Sequence, residues 1–176
     1  LGRLVGSEMC IRDRLWSNRN QVTSLLDTDS RTISKILFDR QYDDIYTDPG
    51  SPVLTKNKFG KNVIEIKKNS VYMISRGGSP EGYRPYLSIF NIKTLDTKIL
   101  FRSEAPFYEN PIKLSGNNLI TSKESVTDNP NYFIRDLSTG KSKQLTFYEN
   151  PYKSLDKLKK EVINYKREDG IDLSAV

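Results

Sequence analysis

Apolar and polar residues alternate along this chain in short runs separated by turn-forming residues, a pattern typical of β-strands rather than helices. β-Branched and aromatic residues concentrate in several runs, which predict strands at residues 32–38, 62–67, 70–75, 117–125, 161–167 and 171–176. Lys68-Asn69 separates two of these runs and predicts a tight hairpin. Residues 39–52 and 77–85 are predicted to be loops, and the more polar residues 15–30 are expected to hold the remains of a strand pair.

Two stretches, residues 86–101 and 132–147, are similar enough to be copies of one strand–turn–strand unit, and aligning Asn91 with Asp136 sets their offset at 45 residues. The residues that match at this offset are Asn91 with Asp136, Ile92 with Leu137, Thr94 with Thr139, Lys98 with Lys143, and Leu100 with Leu145. Each copy is followed by the same five residues, Phe-Tyr-Glu-Asn-Pro, at 107–111 and 147–151. Two unrelated hairpins with similar polar turns are the alternative explanation. Repeats of about 40–45 residues built from short strands favour the blades of a β-propeller.

The two ends of the chain depart from this repeat. Residues 1–14 show neither strand alternation nor a helical stripe; they resemble translated sequencing-adapter sequence and are excluded from fold prediction as a non-native segment. After the second copy, Ser154 is placed to cap a short helical turn over 155–160. A hairpin outside the repeat follows at 161–176, with Asp169-Gly170 as a turn of the primed type. Because an apolar strand runs up to the last residue, the chain is expected to be part of a longer protein.

Composition excludes several classes of function. Of the 176 residues, 36% are hydrophobic and 28% are charged. No apolar run approaches the roughly 18 residues that a membrane-spanning helix needs, so no membrane partner is predicted. The net charge of +6 comes from scattered lysines, without an aromatic RNA-binding motif or a helix-turn-helix pattern, so no nucleic-acid partner is predicted either. The chain has no histidine, which excludes a Ser-His-Asp triad, a Cys-His pair or a His-bearing metal site within it.

Two loops contain residues that partly match functional motifs. Asp43, Asp44 and Asp48 are close in sequence, but their spacing does not fit a calcium-binding EF-hand loop. Asp48-Pro49-Gly50 instead predicts a tight turn, because proline presets φ and glycine accepts a positive φ. The Gly-Gly-Ser-Pro-Glu run at 77–81 lacks the last glycine of a nucleophile elbow and the Gly-Lys-Ser/Thr ending of a phosphate loop. We therefore predict no catalytic, cofactor-binding or metal-binding residue in this chain, and no cofactor.

A further set of segments is informative through its order and spacing. The segments are Lys35-Ile-Leu-Phe-Asp-Arg40, Asp48-Pro-Gly-Ser-Pro52, Ser79-Pro-Glu-Gly82 before Arg84-Pro85, Leu119-Ile-Thr-Ser-Lys-Glu-Ser125 before Asn131-Tyr132, and Gln144-Leu-Thr146 with Asn150-Pro-Tyr152. Together they resemble the propeller of glutamyl endopeptidases in the prolyl oligopeptidase family. Lys160-Glu-Val-Ile-Asn-Tyr-Lys-Arg-Glu-Asp-Gly170 resembles the crossing into that family's catalytic α/β-hydrolase domain. The resemblance covers residues 31–176.

This resemblance implies an all-β fold. Residues 15–158 would be the C-terminal part of a β-propeller, with about three blades, and residues 159–176 the first hairpin of a truncated α/β-hydrolase domain. The parent protein is then expected to be a serine-type peptidase with specificity for acidic side chains, whose Ser, Asp and His lie beyond residue 176. The chain itself would be a non-catalytic wall that gates access of peptides to that domain. Its expected partners are a peptide substrate and, within the parent, the hydrolase domain.

A stand-alone TolB-like β-propeller that serves as a protein-interaction module is the alternative. The hairpin after residue 151 distinguishes the two hypotheses, because a binding module has no need of a non-repeat hairpin directly after its last blade. The sequence leaves the compartment open, and a periplasmic or secreted parent is the working hypothesis.

Overall fold

A computed structural model describes residues 2–3, 8–155, 158 and 161–175. Within this part of the chain the one helical element is a short 3-10 turn, Lys153–Leu155. The strands, in chain order, are β1 (Gly2–Arg3), β2 (Glu8–Leu15), β3 (Asn20–Asp27), β4 (Thr32–Gln41), β5 (Ser51–Pro52), β6 (Leu54–Lys56), β7 (Asn62–Ile64), β8 (Ser70–Ser75), β9 (Gly78–Ser79), β10 (Gly82–Tyr83), β11 (Tyr86–Asn91), β12 (Thr97–Arg102), β13 (Tyr108–Ser115), β14 (Asn118–Glu124), β15 (Asn131–Asp136), β16 (Ser142–Gln144), β17 (Ile163–Lys166) and β18 (Asp172–Ala175). No helix among the described residues is long and apolar enough to cross a membrane.

Three antiparallel sheets of four strands each form most of the fold. The first sheet runs β1-β2-β3-β4, the second β5-β8-β11-β12, and the third β13-β14-β15-β16. In each sheet the chain therefore moves steadily from one edge to the other. Two short ribbons, β6-β7 and β9-β10, are inserted into the connections of the second sheet. Successive four-stranded meanders are the architecture of propeller blades, and they confirm the predicted all-β, partial-propeller fold.

The two sequence copies occupy equivalent places, as the last two strands of the second and third sheets. In each turn the first side chain folds back onto the backbone. Oδ1 of Asn91 accepts hydrogen bonds from the N–H groups two and three residues later, at 2.9 and 3.1 Å. Oδ1 of Asp136 does the same at 2.8 and 3.1 Å. The fifth residue has a positive φ in both copies, 68° at Leu95 and 70° at Gly140, so the repeat in sequence is also a repeat in backbone conformation.

The first sheet carries the same turn, which the sequence comparison missed. At the end of β3, Oδ1 of Asp27 accepts hydrogen bonds from the N–H groups of Asp29 and Ser30, at 2.8 and 3.1 Å. Arg31, the fifth residue, has a φ of 58°. Asp and Asn favour such turns because their short side chains supply an acceptor to the backbone two residues on. All three sheets thus close their last hairpin by the same local chemistry.

The apolar core lies between neighbouring sheets. Strand β8 shows why, because its side chains alternate between the two faces of the second sheet. One cluster of buried residues lies on the side of the first sheet: Leu25, Ile64, Val71, Met73, Phe90 and Ile92. A second cluster lies on the side of the third sheet: Leu87, Phe101 and Leu119. Fully burying a side chain of this size contributes roughly 1.5–3 kcal/mol, so the stacking of sheet on sheet is the main source of stability.

The second sheet departs from prediction in its pairing. Lys68 and Asn69 form the expected tight turn, with φ values of 49° and 61° and reciprocal hydrogen bonds between Lys67 and Ser70. Beyond this turn the strands separate, and β7 pairs with β6 instead of β8. Two predicted loops also contain short strands: 39–52 includes the end of β4 and all of β5, and 77–85 includes the β9-β10 ribbon. Pairing between distant segments, which local pattern does not encode, accounts for these differences.

Besides the short β1 and β6, two strands of eight residues were not predicted. Residues 8–15 form β2, and all of them except Leu15 belong to the segment excluded as adapter-like. This strand pairs with β3 over its whole length, beginning at Glu8 opposite Asp27. Residues 8–14 therefore form a strand although apolar and polar residues do not alternate along them, and excluding them from fold prediction was wrong. The non-native origin of residues 1–14 and the domain limits at 15–158 and 159–176 remain predictions. The other strand is β13, whose residues Glu109, Asn110 and Pro111 make it look like a turn in sequence.

The hairpin outside the repeat is present, with β17 paired to β18. Its turn is not the predicted Asp169-Gly170 turn of the primed type. Such a turn needs a positive φ at both of these central residues. Gly170 alone among the turn residues has a positive φ, 86°, and its N–H donates to the carbonyl oxygen of Arg167 at 2.8 Å. The side chains of Ile163, Tyr165 and Ile171 remain about half exposed. Most of the helical turn predicted at 155–160 and the last residue of the predicted strand 171–176 lie outside the described residues.

Candidate functional site: the inner-edge cleft

Two free sheet edges face a common cleft. Strand β5 is one edge of the second sheet and β13 is one edge of the third, and neither has a second strand partner in the described part of the chain. Residues from both edges and from the β6-β7 ribbon line a cleft of about 670 Å³. The first strands of propeller blades surround the central channel. We call this space the inner-edge cleft and consider it the candidate functional site.

Pro111 shapes the β13 side of the cleft. Proline has no N–H to give to a sheet and occurs on edge strands or at bulges. Both conditions hold here, because the pairing of β13 with β14 shifts register between Pro111 and Lys113. Ile112, the extra residue, is 49% exposed and lines the cleft, as does Lys113. The proline that disguises this strand in the sequence therefore produces a bulged edge that presents an apolar and a cationic side chain.

Gly50 fixes the β5 side of the cleft. The expected Asp48-Pro49-Gly50 turn is present: Oδ1 of Asp48 accepts a hydrogen bond from the Gly50 N–H at 3.1 Å. The hydroxyl of Ser75 donates to the Asp48 carbonyl oxygen at 2.9 Å. Gly50 has a φ of 84°, and a Cβ at this position would lie 2.0 Å from the carbonyl oxygen of Ile74. Only glycine allows β5 to approach β8 this closely.

The aspartates beside this turn have structural partners. Arg19 Nη1 donates to Asp43 Oδ2 at 2.7 Å, and this hydrogen bond lowers the pKa of the Asp43 carboxyl group. The hydroxyl of Thr47 donates to Asp44 Oδ2 at 2.8 Å and is the main cause of a lowered pKa for Asp44. The three aspartates whose spacing does not fit a calcium loop thus act in turns and in an ion pair.

A buried ion pair holds the start of β13 in place. The Glu109 side chain is only 7% exposed, and its carboxylate accepts a hydrogen bond from the Thr121 hydroxyl at 2.7 Å. Arg135 Nη2 lies 3.3 Å from both Glu109 carboxylate oxygens. The Arg135 guanidinium also lies over the ring of Phe101, 5.0 Å from its centroid. Because Phe101 belongs to the second sheet and the other three residues to the third, this cluster joins two sheets.

The backbone of β13 is anchored to the second sheet as well. Ser103, which is buried, donates its hydroxyl to the carbonyl oxygen of Phe107 at 3.0 Å. Its oxygen also accepts a hydrogen bond from the Glu109 N–H at 2.8 Å. The N–H of Ser103 in turn donates to the Pro85 carbonyl oxygen at 2.8 Å. The position of the β13 edge relative to the second sheet is therefore fixed by side chains and backbone together.

The charges at the inner-edge cleft are unbalanced. Its cations are Lys56, Lys67 and Lys113, and its one acidic residue is Glu65. Lys67 Nζ lies 3.1 Å from Glu65 Oε2, so these two charges offset each other. Neither Lys56 nor Lys113 has an acidic partner among the described residues. The cleft consequently carries a net positive charge, beside the half-exposed apolar side chains of the edge strands.

The residues of this cleft were not singled out from the sequence. They come from three separate segments, and the scattered lysines of the sequence indicated no particular site. The repeated Phe-Tyr-Glu-Asn-Pro motif was the available signal, since its first copy contains the buried Glu109. In the part of the chain that the structure describes, no three His, Cys, Asp or Glu side chains are grouped as a metal site would require. The sequence-based prediction of no catalytic or cofactor-binding residue stays a prediction.

The order of strands and the free edges define the chain as a segment of a β-propeller. No family model matches it. Two curated proteins do: a probable chloroplastic glutamyl endopeptidase of Oryza sativa subsp. japonica, 32% identical over 197 residues, and its counterpart of Arabidopsis thaliana, 33% identical over 179 residues. The matches cover 98% and 91% of this chain but only 21% and 19% of the relatives. These matches confirm the resemblance to glutamyl endopeptidases of the prolyl oligopeptidase family, and the chain spans about a fifth of the length of these relatives.

Two solved structures show weaker, backbone-level similarity. TolB from Acinetobacter baumannii has a TM-score of 0.40 and 15% sequence identity, covering 80% of this chain and 30% of its own. A puromycin hydrolase has a TM-score of 0.43 and 9% identity, covering 96% of this chain and 31% of its own. The assignment to a propeller region of a peptidase family is supported instead by the sequence relatives and by the chain's own strand order.

Proposed function

We propose that this chain is a non-catalytic wall of a serine peptidase propeller, which limits the size of the peptides that reach a catalytic domain outside this segment. One observation carries the proposal: nearly the whole chain aligns with probable glutamyl endopeptidases, while its residues include no histidine from which a Ser-His-Asp triad could be built. A role in access, rather than in bond cleavage, is what such a segment can contribute.

The rigidity of the edge strands supports a size-limiting role. Each edge is part of an antiparallel ladder, and the β13 edge is further held by the buried pair of Glu109 and Arg135. Displacing the β13 edge from the rest of the third sheet would require breaking these contacts, and breaking a buried ion pair typically costs about 3–5 kcal/mol. A wall that deforms only at this cost excludes bulky peptides while short, extended ones pass.

A chimera tests this proposal. The segment of the rice relative that aligns with this chain is replaced by this chain, and kcat/KM is measured for a series of fluorogenic Glu-containing peptides of increasing length. Short peptides are expected to be cleaved as well as by the unmodified rice protein, and long ones are expected to be discriminated against. The double variant Leu54→Ala with Ile112→Ala shortens two cleft side chains that are each about half exposed, and it is expected to relax the discrimination. Leu95→Ala with Ile99→Ala, two comparably exposed positions outside the cleft, is the matched control.

The isolated chain supplies the second arm. It is expected not to hydrolyse the same peptides, with or without a serine-directed inhibitor. Turnover by the pure chain that the inhibitor abolishes would overturn the assignment as a non-catalytic segment. A chimera with full activity and no dependence on peptide length would instead favour the interaction-module alternative.

A further inference from the structure

One asparagine side chain holds the segment that follows the third sheet. This segment, residues 146–148, begins two residues after β16, and we call it the strap. Oδ1 of Asn131 accepts hydrogen bonds from the Tyr148 N–H at 2.7 Å and from the Thr146 hydroxyl at 2.9 Å. Its Nδ2 donates to the carbonyl oxygens of Tyr148 and Asn129, both at 3.1 Å. Three of these four hydrogen bonds go to the strap, and together they engage both the donors and the acceptor of the amide.

Burial does not hold the strap in place. Phe147 is 78% exposed and Tyr148 is 59% exposed, so neither side chain gains much from leaving water. The N–H and the carbonyl oxygen of Tyr148 both bond to Asn131. The Thr146 hydroxyl, which donates to Asn131, also accepts a hydrogen bond from the Tyr132 N–H at 2.9 Å. The position of the strap therefore depends on hydrogen bonds, and Asn131 supplies both of those at Tyr148.

The Phe-Tyr-Glu-Asn-Pro motif takes a different course in the first copy. There, residues 102–106 precede the motif and carry the chain to the free edge of the third sheet, where the motif opens β13. The second copy has no counterpart of these residues, and its motif forms no strand where Asn131 holds it. At the 45-residue offset Asn131 corresponds to Tyr86, which has no side-chain amide. The short connection and the Asn131 amide thus keep the motif at the end of the third sheet instead of leading it into a further inner strand.

The strap lies between the sheets and the last hairpin, because the chain passes through it from β16 to β17 and β18. A wall excludes peptides by size only while it keeps its position over the site that it protects, since a shift of the wall opens a path around it. We propose that Asn131 is a positioning residue, which fixes the direction in which the chain leaves the propeller and so the placement of the wall on the catalytic domain. This inference rests on the proposed gating function and adds to it the side chain on which the seating of the wall depends.

Hydrogen exchange of the isolated chain, followed by NMR, tests whether Asn131 holds the strap. Asn131→Ala is expected to make the Tyr148 amide exchange at least about tenfold faster, because its acceptor is lost. Asn131→Asp, of nearly the same size, is expected to release the strap as well, because a carboxylate cannot donate to the Tyr148 carbonyl oxygen. The matched control is Asn91→Ala, which removes hydrogen bonds of 2.9 and 3.1 Å from the β11-β12 turn. This control should change the Tyr148 rate by less than about threefold.

The chimera with the rice relative tests what the strap contributes to gating. In the chimera, Asn131→Ala is expected to raise kcat/KM for the longest peptide at least about fivefold relative to the shortest, without a change in kcat for the shortest. Asn91→Ala is expected to leave this ratio unchanged. A merely structural role for Asn131 would lower the amount of folded chimera and reduce the cleavage of all the peptides by the same factor. Unchanged circular dichroism establishes that the variants keep the fold.

Two outcomes would overturn the inference: protection of the Tyr148 amide that survives both Asn131 substitutions, or length discrimination that survives release of the strap. Both leave the gating proposal intact, because the unsubstituted chimera reports on gating by itself. An unsubstituted chimera without length discrimination would refute gating and the inference with it, so the two failures are distinguishable.

Discussion

Glu109 is expected to stabilise the junction between the second and third sheets, and its replacement by alanine is a direct test. The carboxylate accepts hydrogen bonds from the Thr121 hydroxyl and from the Arg135 guanidinium in a nearly closed environment. Its removal leaves a hydroxyl on a fully buried residue without this partner. It also leaves the Arg135 charge without an anion, above the ring of Phe101.

The size of the effect follows from these contacts. Removing one partner of a fully buried ion pair costs about 3–5 kcal/mol. The Arg135 side chain is 22% exposed and its contacts are 3.3 Å long, so water compensates part of the loss. Glu109→Ala is therefore expected to lower the free energy of unfolding by about 2–3 kcal/mol. For a chain of this size that corresponds to a fall in Tm of about 4–12 °C.

The repeat provides a matched control for this measurement. Glu149 occupies the same position in the second Phe-Tyr-Glu-Asn-Pro motif, but it is exposed and pairs with Lys153 on the surface. Glu149→Ala is expected to change the free energy of unfolding by less than about 1 kcal/mol, as for other surface pairs. Urea and thermal unfolding followed by circular dichroism measure both variants. Equal effects of the two substitutions would refute the structural reasoning.

A double-mutant cycle separates the ion pair from simple loss of packing. Arg135→Met alone leaves the Glu109 carboxylate buried without its cation, whereas the double variant with Glu109→Gln removes both charges. The two substitutions are expected to couple by about 0.5–3 kcal/mol, because the residues are in direct contact. Additive effects would show that the charges do not interact in the folded chain.

Three further predictions follow from the turns and the last hairpin. Gly50→Ala should destabilise the chain by more than about 2 kcal/mol in urea unfolding, because its Cβ would meet the Ile74 carbonyl oxygen. Gly60→Ala, at a φ of 72° with open space around it, should cost only about 1 kcal/mol, and a similar loss for both would contradict the steric argument. The Ser138 hydrogen bond lowers the pKa of the Asp136 carboxyl group, so its contribution to stability is present above the unfolded value of about 3.9 and is lost as the pH falls below it. Asp136→Asn should therefore flatten the decrease in stability measured between neutral pH and about pH 3, and an unchanged acid limb would refute this assignment. In hydrogen exchange the amides of β17 and β18 should exchange faster than those of β8 and β14, since both strands of that hairpin are largely exposed. Strong protection in that hairpin would contradict the expectation.

Features encoded locally were the ones that the sequence revealed. The turn of the repeat depends on one Asp or Asn side chain and the backbone next to it, so aligning Asn91 with Asp136 was enough to find it. Lys68-Asn69 was recognised for the same reason, because a tight turn needs only its own residues. The all-β propeller fold then followed from the family that these residues resemble.

Features that depend on distant partners could not be predicted in this way. Strand β13 was missed because its residues Glu109 and Pro111 look like a polar turn, and the burial of Glu109 becomes understandable only once Arg135 and Thr121 are placed around it. The pairing of β7 with β6 is likewise decided by packing rather than by the intervening residues. The cleft combines side chains from segments more than fifty residues apart, and no local pattern marks them as neighbours.

The repeated sequence unit does not coincide with a sheet. Residues 86–111 begin with β11 in the second sheet and end inside β13, the first strand of the third. A duplication of this unit would therefore carry half of one blade together with the opening strand of the next. The first copy also carries Ser103, whose oxygen accepts the Glu109 N–H at this boundary, whereas the second copy lacks the five residues 102–106 that contain this serine. In the second copy the Asn131 side chain holds the backbone of Tyr148 instead, so a duplication of this unit would add a blade boundary that is fixed by different side chains.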